Sequence, residues 1–498
     1  MTQKHVLLLD MGSTGIRSLM APVDQAWSLT PGAERRYRVG RPRDGDSLAR
    51  WFEPNDLWQR VAAVLGEGVR TAGVAPENVA AVSITSQRQG VAFLGRGGAT
   101  IYLAPNVDLR AVFEGAAIDD RLADQVYAAT GHLPSFLFTP AKLHWWRLHH
   151  PRTARRIQRI LTLGAWVAYC LTGEQADVPS QLNEAGLTDV ATRQPSGLLD
   201  ALEVDGSLLP SVVNEGVAIG TVQHDAAAAT GLREGTPVVL AGPDTQAALL
   251  GMGAVAPGDA AVVSGWSTPV QTVTESPVLD PQRSTWAGCH VLPGRWVAEA
   301  NVGDTGGTLE MVRRLLGPKA GAGRLDTLLS RSRLGSNLVT AFWGPHALDL
   351  ANPGVGMGGL LMPSPITYNP IHAGHVARAT LENIAYAIRQ GLERLEEVTE
   401  RKQRLVALSG GLSQSRVFPQ LLADVLGRPV RLHHHRASAI GAAIAVSAPR
   451  GQWEEASKRA ASQGTVIEPD VRSTLDYAAF YERWLRLKAR LDELSGEL

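Results

Sequence analysis

The sequence predicts an α/β protein with at least two domains, and three observations carry that prediction. The chain has 498 residues, more than a single hydrophobic core ordinarily spans. Short apolar runs of strand length alternate along it with longer stretches whose apolar residues recur at helical spacing. An apolar strand entering a turn of glycine and hydroxyl residues also occurs twice, about half a chain apart. Leu7–Leu9 runs into Asp10-Met11-Gly12-Ser13-Thr14, and Ala261–Val263 runs into Ser264-Gly265-Trp266-Ser267-Thr268. One such hairpin per domain, the two facing each other across a cleft, would hold one polyphosphate; the plainer reading is two unrelated turns.

The elements follow in order. Val6–Leu9 reads as a buried strand, Met11–Gly15 as its turn and Ile16–Met20 as a second strand. Asp56–Val69 places Leu57, Val61, Val64 and Leu65 at helical spacing behind Pro54. Val79–Ile84 is a strand ending in Thr85-Ser86-Gln87-Arg88-Gln89-Gly90. Pro140–His150 and Arg152–Leu171 read as two helices broken at Pro151. Pro237–Ala241 is a buried strand entering Gly242-Pro243-Asp244, and Asp259–Ser264 and Val270–Val273 flank a glycine turn. His375–Arg401 is a long amphipathic helix with Ala379, Ile384, Ala387, Ile388, Leu392 and Leu395 on one side. Leu405–Leu408 is a strand, Gly410-Gly411 its turn and Val417–Leu426 the next helix; the charge-rich tail from Trp453 is largely helical to Leu494.

Composition excludes several classes. Lys plus Arg and Asp plus Glu each number 48, so the formal charge is zero, against the basic excess of a nucleic-acid binder. Hydrophobic residues at 44% and charged residues at 19% are those of a folded globular chain. Two cysteines, Cys170 and Cys289, support neither a disulfide framework nor a thiolate zinc site. No apolar stretch approaches the ~18 residues of a membrane span, and the run Val6–Leu9 is too short for a signal peptide. The expectation is a soluble, cytoplasmic protein.

Asp10-Met11-Gly12-Ser13-Thr14-Gly15-Ile16-Arg17 is the densest chemical segment. Glycine lets phosphate oxygens approach backbone N–H groups, and Ser13 and Thr14 add hydroxyl donors. Asp10 at a strand end would hold magnesium through water, and Arg17 would neutralise charge on a transferring phosphoryl group. The alternative is a polar hairpin turn. Three other features look chemical and are not read so. Gly354-Val355-Gly356-Met357-Gly358-Gly359 fits GxGxxG but precedes Leu360-Leu361-Met362-Pro363 rather than a helix. His433-His434-His435 alternate faces on a strand and cannot converge on one ion. Trp145-Trp146 reads as core and helix packing.

These segments, in this order, resemble the FGGY family of carbohydrate kinases. The Asp10–Arg17 segment resembles its first phosphate motif. Gly235-Thr236-Pro237-Val238-Val239-Leu240-Ala241-Gly242-Pro243-Asp244-Thr245-Gln246 resembles the hinge segment with the catalytic aspartate. Ser409-Gly410-Gly411-Leu412-Ser413-Gln414-Ser415 resembles the adenosine motif, Ala437–Ala443 the helix after it, and Asn301–Gly307 the Gly-Gly segment near the nucleotide. Asn106-Val107-Asp108-Leu109-Arg110 resembles the family's Asp-x-Arg motif.

The resemblance implies two actin-like (ribonuclease-H-like) domains flanking a deep catalytic cleft, divided here as 1–242 and 243–498. It implies ATP- and magnesium-dependent phosphorylation of a hydroxyl of a small sugar, ketose or polyol. Asp244 is the expected general base, an ordinary carboxylate being sufficient because phosphoryl transfer needs positioning more than basicity. Gln87, Arg88, Gln89, Asn106, Asp108, Arg110, Asp244 and Gln246 are the expected substrate contacts, although Asp108 and Arg110 also read as a structural ion pair. ATP would meet Gly12, Ser13, Thr14, Arg17, Gly265, Ser267, Thr268, Gly306, Gly307, Gly410, Gly411 and Ser415, and magnesium Asp10 and Asp244. Partners reduce to sugar or polyol and ATP, with no nucleic acid or membrane; a homodimer, common in the family, stays open.

The chain also departs from the pattern. Trp266 stands where Thr is usual in the second phosphate hairpin, which would shift the phosphate contact to Ser267 or Thr268. Leu412 replaces a third glycine and would narrow nucleotide access; Arg436 stands where an acid is common. Asn106 stands where glycerol and pentulose kinases usually have Trp, and a longer family loop is cut to Pro363-Ser364-Pro365-Ile366-Thr367-Tyr368-Asn369-Pro370. The Asn-Val-Asp-x-Arg form, Arg88-Gln89-Gly90, Val126–Gly131 and the short loop are closer to autoinducer-2 kinases than to xylulose kinases, so the subgroup expectation is a pentulose or autoinducer-2-type kinase. Trp266 and Leu412 motivate a rival, a catalytically weakened sugar or nucleotide sensor; an actin-like ATPase with a protein partner is a second.

Overall fold

The runs at Val6, Val79 and Pro237 are apolar on both faces, the signature of strands covered on both sides, and they form the middle of one sheet. The computed structural model describes residues 3–42, 48–316, 322–344, 357–363, 370–433 and 436–495. Residues 354–356 of the glycine run, 364–369 of the shortened loop, and His434 and His435 lie outside the described residues. The chain divides into two units. One comprises Met1–Val255, Thr274–Val297 and Ala437–Ala461; the other comprises Ala256–Val273, Ala298–Arg436 and Ser462–Leu498.

The first unit is built on a six-stranded sheet in the order Ala218–Thr221, Pro237–Pro243, Val79–Ser86, His5–Met11, Gly15–Pro22, Thr30–Arg36. Pro237–Pro243, Val79–Ser86 and His5–Met11 are mutually parallel, with both Met11 and Pro243 opposite Ser86. Their C-terminal ends therefore emerge together on one edge, where an open α/β sheet offers its ligand crevice. Gly15–Pro22 returns antiparallel, pairing Asp10 with Arg17, so the expected strand–turn–strand is present. Period-2 alternation sends Leu7 and Leu9 to one face, against Leu57, Val61, Val64 and Leu65 of the helix Pro54–Ala72. It sends Val6 and Leu8 to the other, against Leu250, Ala439 and Ile444 of the helices Asp244–Met252 and Ala437–Ser447.

Those last two helices approach very closely. A Cβ added at Gly441 would lie 1.8 Å from the Ala247 carbonyl oxygen, and one at Gly251 would lie 2.0 Å from that of Ala437. Only glycine fits such a crossing.

The segment Arg152–Leu171 corrects the reading of one helix. Pro151–Ala154 is a short helix, Arg159–Thr162 a strand and Leu163–Thr172 a second helix. Ile160 and Leu161 pair with Phe93 and Ala92, completing a three-stranded sheet of Thr100–Ala104, Val91–Leu94 and Arg159–Thr162. A remote partner strand overrides the local helical periodicity.

The second unit repeats the hairpin. Ala260–Ser264 pairs antiparallel with Ser267–Thr274 and parallel with Val406–Gly410, the arrangement that His5–Met11 has with Gly15–Pro22 and Val79–Ser86. Ile384, Ile388 and Leu392 of the helix Ala373–Thr399 pack with Tyr477, Tyr481 and Trp484 of the helix Val471–Ser495. Leu360–Leu361, after the glycine run, is a strand pairing with Thr340–Ala341 and not a helix. No helix among the described residues is long and apolar enough to cross a membrane.

The crossing gives a direct test. Gly441→Ala should destabilise the protein by about 1–3 kcal/mol or more, as overpacking against backbone does, and lower its urea midpoint. Gly197→Ala, whose added carbon meets nothing within 4 Å, should leave the midpoint within error. Equal midpoints for the two variants would contradict the close approach.

Candidate active site

Asp244 is delivered by a strand end. Gly242 holds φ 92°, a left-handed angle that glycine adopts freely, and an added Cβ would lie 2.6 Å from Val291 and 2.8 Å from the Ser180 hydroxyl. Pro243 then precedes the helix, and Asp244 is its first residue, where the helix dipole favours a carboxylate. Its Oδ1 accepts the Thr245 N–H at 2.8 Å. Two strands away, Asp10 is buried at the end of His5–Met11, and its Oδ2 accepts the Ser438 hydroxyl at 3.1 Å. Burial first, and the charge of Asp10 second, push the Asp244 pKa up to about 7, against the pull of Arg88. An ordinary carboxylate would suffice for phosphoryl transfer; burial and Asp10 raise this one above that range.

Between the two acids, Val79–Ser86 ends in Gln87, Arg88 and Gln89. Gln87 ties the first hairpin together: its N–H donates to the Met11 carbonyl at 2.7 Å and its Nε2 to that of Gly12 at 3.3 Å. Its Oε1 accepts the Asn106 N–H at 3.0 Å, and Asn106 Nδ2 reaches the Ser13 hydroxyl at 3.4 Å. Gly12, Ser13, Gln87 and Asn106 are therefore brought together. Tyr37, which sequence reasoning missed, joins them. Its N–H donates to the Thr14 carbonyl, and its buried hydroxyl, beside Gln87, completes no hydrogen bond of good geometry among the described residues.

Arg88 and Gln246 meet at another residue that the sequence did not flag. Glu184, on the helix Pro179–Glu184, is 1% exposed. Its Oε1 accepts Gln246 Nε2 at 2.6 Å and lies 3.7 Å from His132 Nε2. Its Oε2 accepts Gln89 Nε2 at 3.2 Å and lies 3.5 Å from Arg88 Nη1. Burial acts to raise the Glu184 pKa, but Arg88, His132 and Gln246 outweigh it and hold the carboxyl below its usual range. The Arg88 guanidinium lies 5.3 Å from the centre of the Trp286 ring. Gln89 itself holds φ 57°, an uncommon angle for a non-glycine residue, and its carbonyl accepts the buried Lys142 ammonium at 2.9 Å. Burial pulls that ammonium down to about 8.

Asp108 and Arg110 form the expected ion pair. The fully buried Asp108 accepts Arg110 Nε at 2.7 Å, the Arg50 N–H at 2.6 Å and the Tyr102 hydroxyl. Arg110 stacks between Tyr102 and Trp145 and borders a cavity of about 500 Å³ with Trp51, Phe52, Asn55 and Trp146. Arg17 pairs with Glu34 at 3.0 Å on the neighbouring strand.

In the second unit, Trp266 is 45% exposed and its carbonyl, not its indole, does the holding. It accepts the N–H groups of Thr305 and Gly306 at 3.0 and 2.8 Å, while Gly307 N–H donates to Asp304 at 2.7 Å as a helix cap. Thr268 is buried, hydroxyl to hydroxyl with Thr305 at 2.7 Å; Gly265 is exposed and Ser267 half-buried. Gly410, at φ 96°, packs on Ser264, whose hydroxyl accepts the Leu412 N–H at 2.9 Å; Gly411 is exposed. Leu412 is buried in the core cluster that also holds Phe418. The Ser415 hydroxyl donates to Asp326 at 2.7 Å and accepts the Val417 and Phe418 N–H groups.

No cluster of three or more His, Cys, Asp or Glu among the described residues suits a metal ion. Magnesium does not require one, since it binds through one or two carboxylates, water and phosphate. Asp10 and Asp244 fit that requirement: Ser438 donates to the first and the Thr245 N–H to the second, and the charge of Glu184 also reaches Asp244.

A raised carboxyl pKa favours the protonated form in the folded state. The stability it contributes is complete below the unfolded value, near pH 4, and is lost as pH rises through about 7. Asp244→Asn removes that loss. In metal-free protein the variant should therefore gain stability over the wild type between pH 4 and pH 8, by a few kcal/mol at about 1.4 kcal/mol per unit. A difference in Tm that stays constant across this range would contradict the assignment.

Comparison with known proteins places the chain in a family. Residues 5–251 match the N-terminal domain, and residues 260–448 the C-terminal domain, of the FGGY family of carbohydrate kinases. The protein YoaC of Bacillus subtilis is 30% identical over 490 residues, covering 97% of this chain and 96% of that protein. The autoinducer-2 kinase of Escherichia coli is 30% identical over 466 residues, covering 90% and 86%. The crystal structure of xylulose kinase from Rhodospirillum rubrum superposes with a TM-score of 0.81 over 99% of this chain and all of that one, at 24% identity, a likeness of fold. With both of its domains matched in order, the chain belongs to the FGGY family of carbohydrate kinases.

Proposed function

We propose that this protein transfers the γ-phosphoryl group of ATP to a hydroxyl of a small sugar, ketose or polyol, with Asp244 as general base. The observation that carries the reading is the convergence of Asp244, Asp10 and Arg88 at the ends of three adjacent parallel strands. Asp244, fixed by the Thr245 N–H, accepts the proton of the attacking hydroxyl, and a proton affinity near neutrality suits that task. Arg88, Gln89 and Gln246 hold the sugar by hydrogen bonds, and Asn106 presents a buried Oδ1 that has no hydrogen-bond partner among the described residues. Asp108 acts through Arg110, which it orients.

Gly12, Ser13 and Thr14 supply donors to phosphate oxygens. Gly265, Ser267, Gly410 and Gly411 are the corresponding nucleotide candidates of the second unit, and the buried Thr268, its hydroxyl bonded to that of Thr305, supports their hairpin. Thr305, Gly306, Gly307 and Ser415 serve by shaping that hairpin and helix end, since their polar groups are engaged within the protein. Asp10 and Asp244 would hold magnesium, which when bound neutralises charge on the phosphates. A pentulose or the linear five-carbon dihydroxydione related to autoinducer-2 is the favoured acceptor, supported by the names of the relatives.

The test is ADP release from magnesium-ATP against glycerol, erythritol, the xyluloses, the ribuloses and the dihydroxydione. One compound should stimulate release well above the sugar-free rate. Asp244→Asn should then lower kcat by about 10²–10⁴-fold, the range of general-base catalysis, with ATP affinity within a few-fold. Near-normal turnover in that variant would remove Asp244 as the base.

A further inference from the structure

A buried guanidinium beside a catalytic carboxylate is suited to reading a carboxylate on the substrate, because Arg presents a planar fork of donors to two oxygens. In this chain the charge of Arg88 is already taken. Glu184 lies 3.5 Å from Arg88 Nη1, and the Trp286 ring lies 5.3 Å from the guanidinium. The same carboxylate fixes Gln246 at 2.6 Å and Gln89 at 3.2 Å, so one fully buried acid sets the direction of three expected sugar contacts. Gln246 Oε1 accepts the Thr245 hydroxyl, the residue next to Asp244. A ligand in this cluster meets an Arg–Glu pair of zero net charge, backed by His132 at 3.7 Å from Glu184, together with amide groups and the Asp244 carboxyl.

We propose that Glu184 sets the charge selectivity of the site: by neutralising Arg88 it admits uncharged polyols and ketoses and rejects aldonates, the sugar acids of the same carbon skeleton. The inference rests on the proposed sugar site and deepens it. Glu184 is a positioning residue, since it acts on the ligand through Arg88, Gln89 and Gln246. An aldonate carboxylate placed at Arg88 would sit near Glu184 and Asp244, two acidic groups in a poorly solvated setting, and would have to share the guanidinium with Glu184 or displace it, leaving that buried acid to His132, Gln246 and Gln89. A hydroxyl makes no such demand: it accepts from Arg88 and donates to amide or carboxylate oxygens.

Binding of xylitol against xylonate, and of erythritol against erythronate, is measured by calorimetry on the full-length protein, with ADP release recorded in parallel for D-xylulose. The wild type should bind each polyol at least about 100-fold more tightly than its aldonate, the scale on which a site of matched polar groups rejects a mismatched ligand. Glu184→Gln should cut that ratio at least tenfold, mainly by tightening aldonate binding, and should raise KM for D-xylulose more than it lowers kcat. In Glu184→Gln/Arg88→Gln, which removes both charges, the gain in aldonate binding should vanish. Wild-type protein that binds xylonate as tightly as xylitol overturns the inference, without need of any variant. So does a folded Glu184→Gln with an unchanged ratio, or a gain that survives in the double variant, which would trace it to packing and not charge. Selective polyol binding without ADP release would instead count against the kinase reading and leave the charge selectivity standing.

Discussion

Keeping two carboxylates close together at a poorly solvated sheet edge is the constraint on which the rest of this structure depends. Asp10 near the end of His5–Met11 and Asp244 just after Pro237–Pro243 flank Val79–Ser86, and the charge of Asp10 raises the cost of ionising Asp244. The surrounding features offset that cost. Ser438 donates to Asp10, the Thr245 N–H and a helix N-terminus face Asp244, and Arg88 supplies positive charge. Ser438 and Asp244 sit on the two helices that cross at Gly251 and Gly441, so an unusually close backbone approach fixes the donors relative to the acids.

The residues that would touch a sugar are held by a second tier of side chains. Glu184 organises Arg88, Gln89 and Gln246, and Gln87 binds the first hairpin to Asn106. Asp108 holds Arg110. Each contact residue is thus locked by a buried partner whose own polar groups are largely satisfied, which confines its rotamer before any ligand arrives. The tier is built from short segments far apart in sequence, and a parallel sheet is what brings their ends to one place.

Much of the architecture was legible in the sequence because its signals are local. Runs such as Val6–Leu9 can only be buried, the hairpin turns are rich in glycine and hydroxyl residues, and the Gly242-Pro243-Asp244 corner announces a strand end. What was not legible depends on partners distant in the chain. Arg159–Thr162 is a strand because Val91–Leu94 lies beside it. Leu412 reads in the sequence as a residue that narrows nucleotide access, and only the fold shows its side chain buried in the core cluster that includes Phe418. Glu184 and Tyr37 carry no motif, and only the fold brings one to Arg88 and the other to Gln87. The raised proton affinity of Asp244 is likewise a property of its surroundings, burial and Asp10, and not of its residue type.

The central claim is that Asp244 faces the reacting hydroxyl. A crystal structure of the protein with ADP, magnesium and the acceptor that stimulates ADP release tests it most directly. The account predicts one acceptor hydroxyl within about 3 Å of an Asp244 carboxylate oxygen, the reach of a general base, with Arg88 and Gln246 bonded to its neighbours. An acceptor bound in order elsewhere, with no hydroxyl within hydrogen-bonding distance of Asp244, would contradict it.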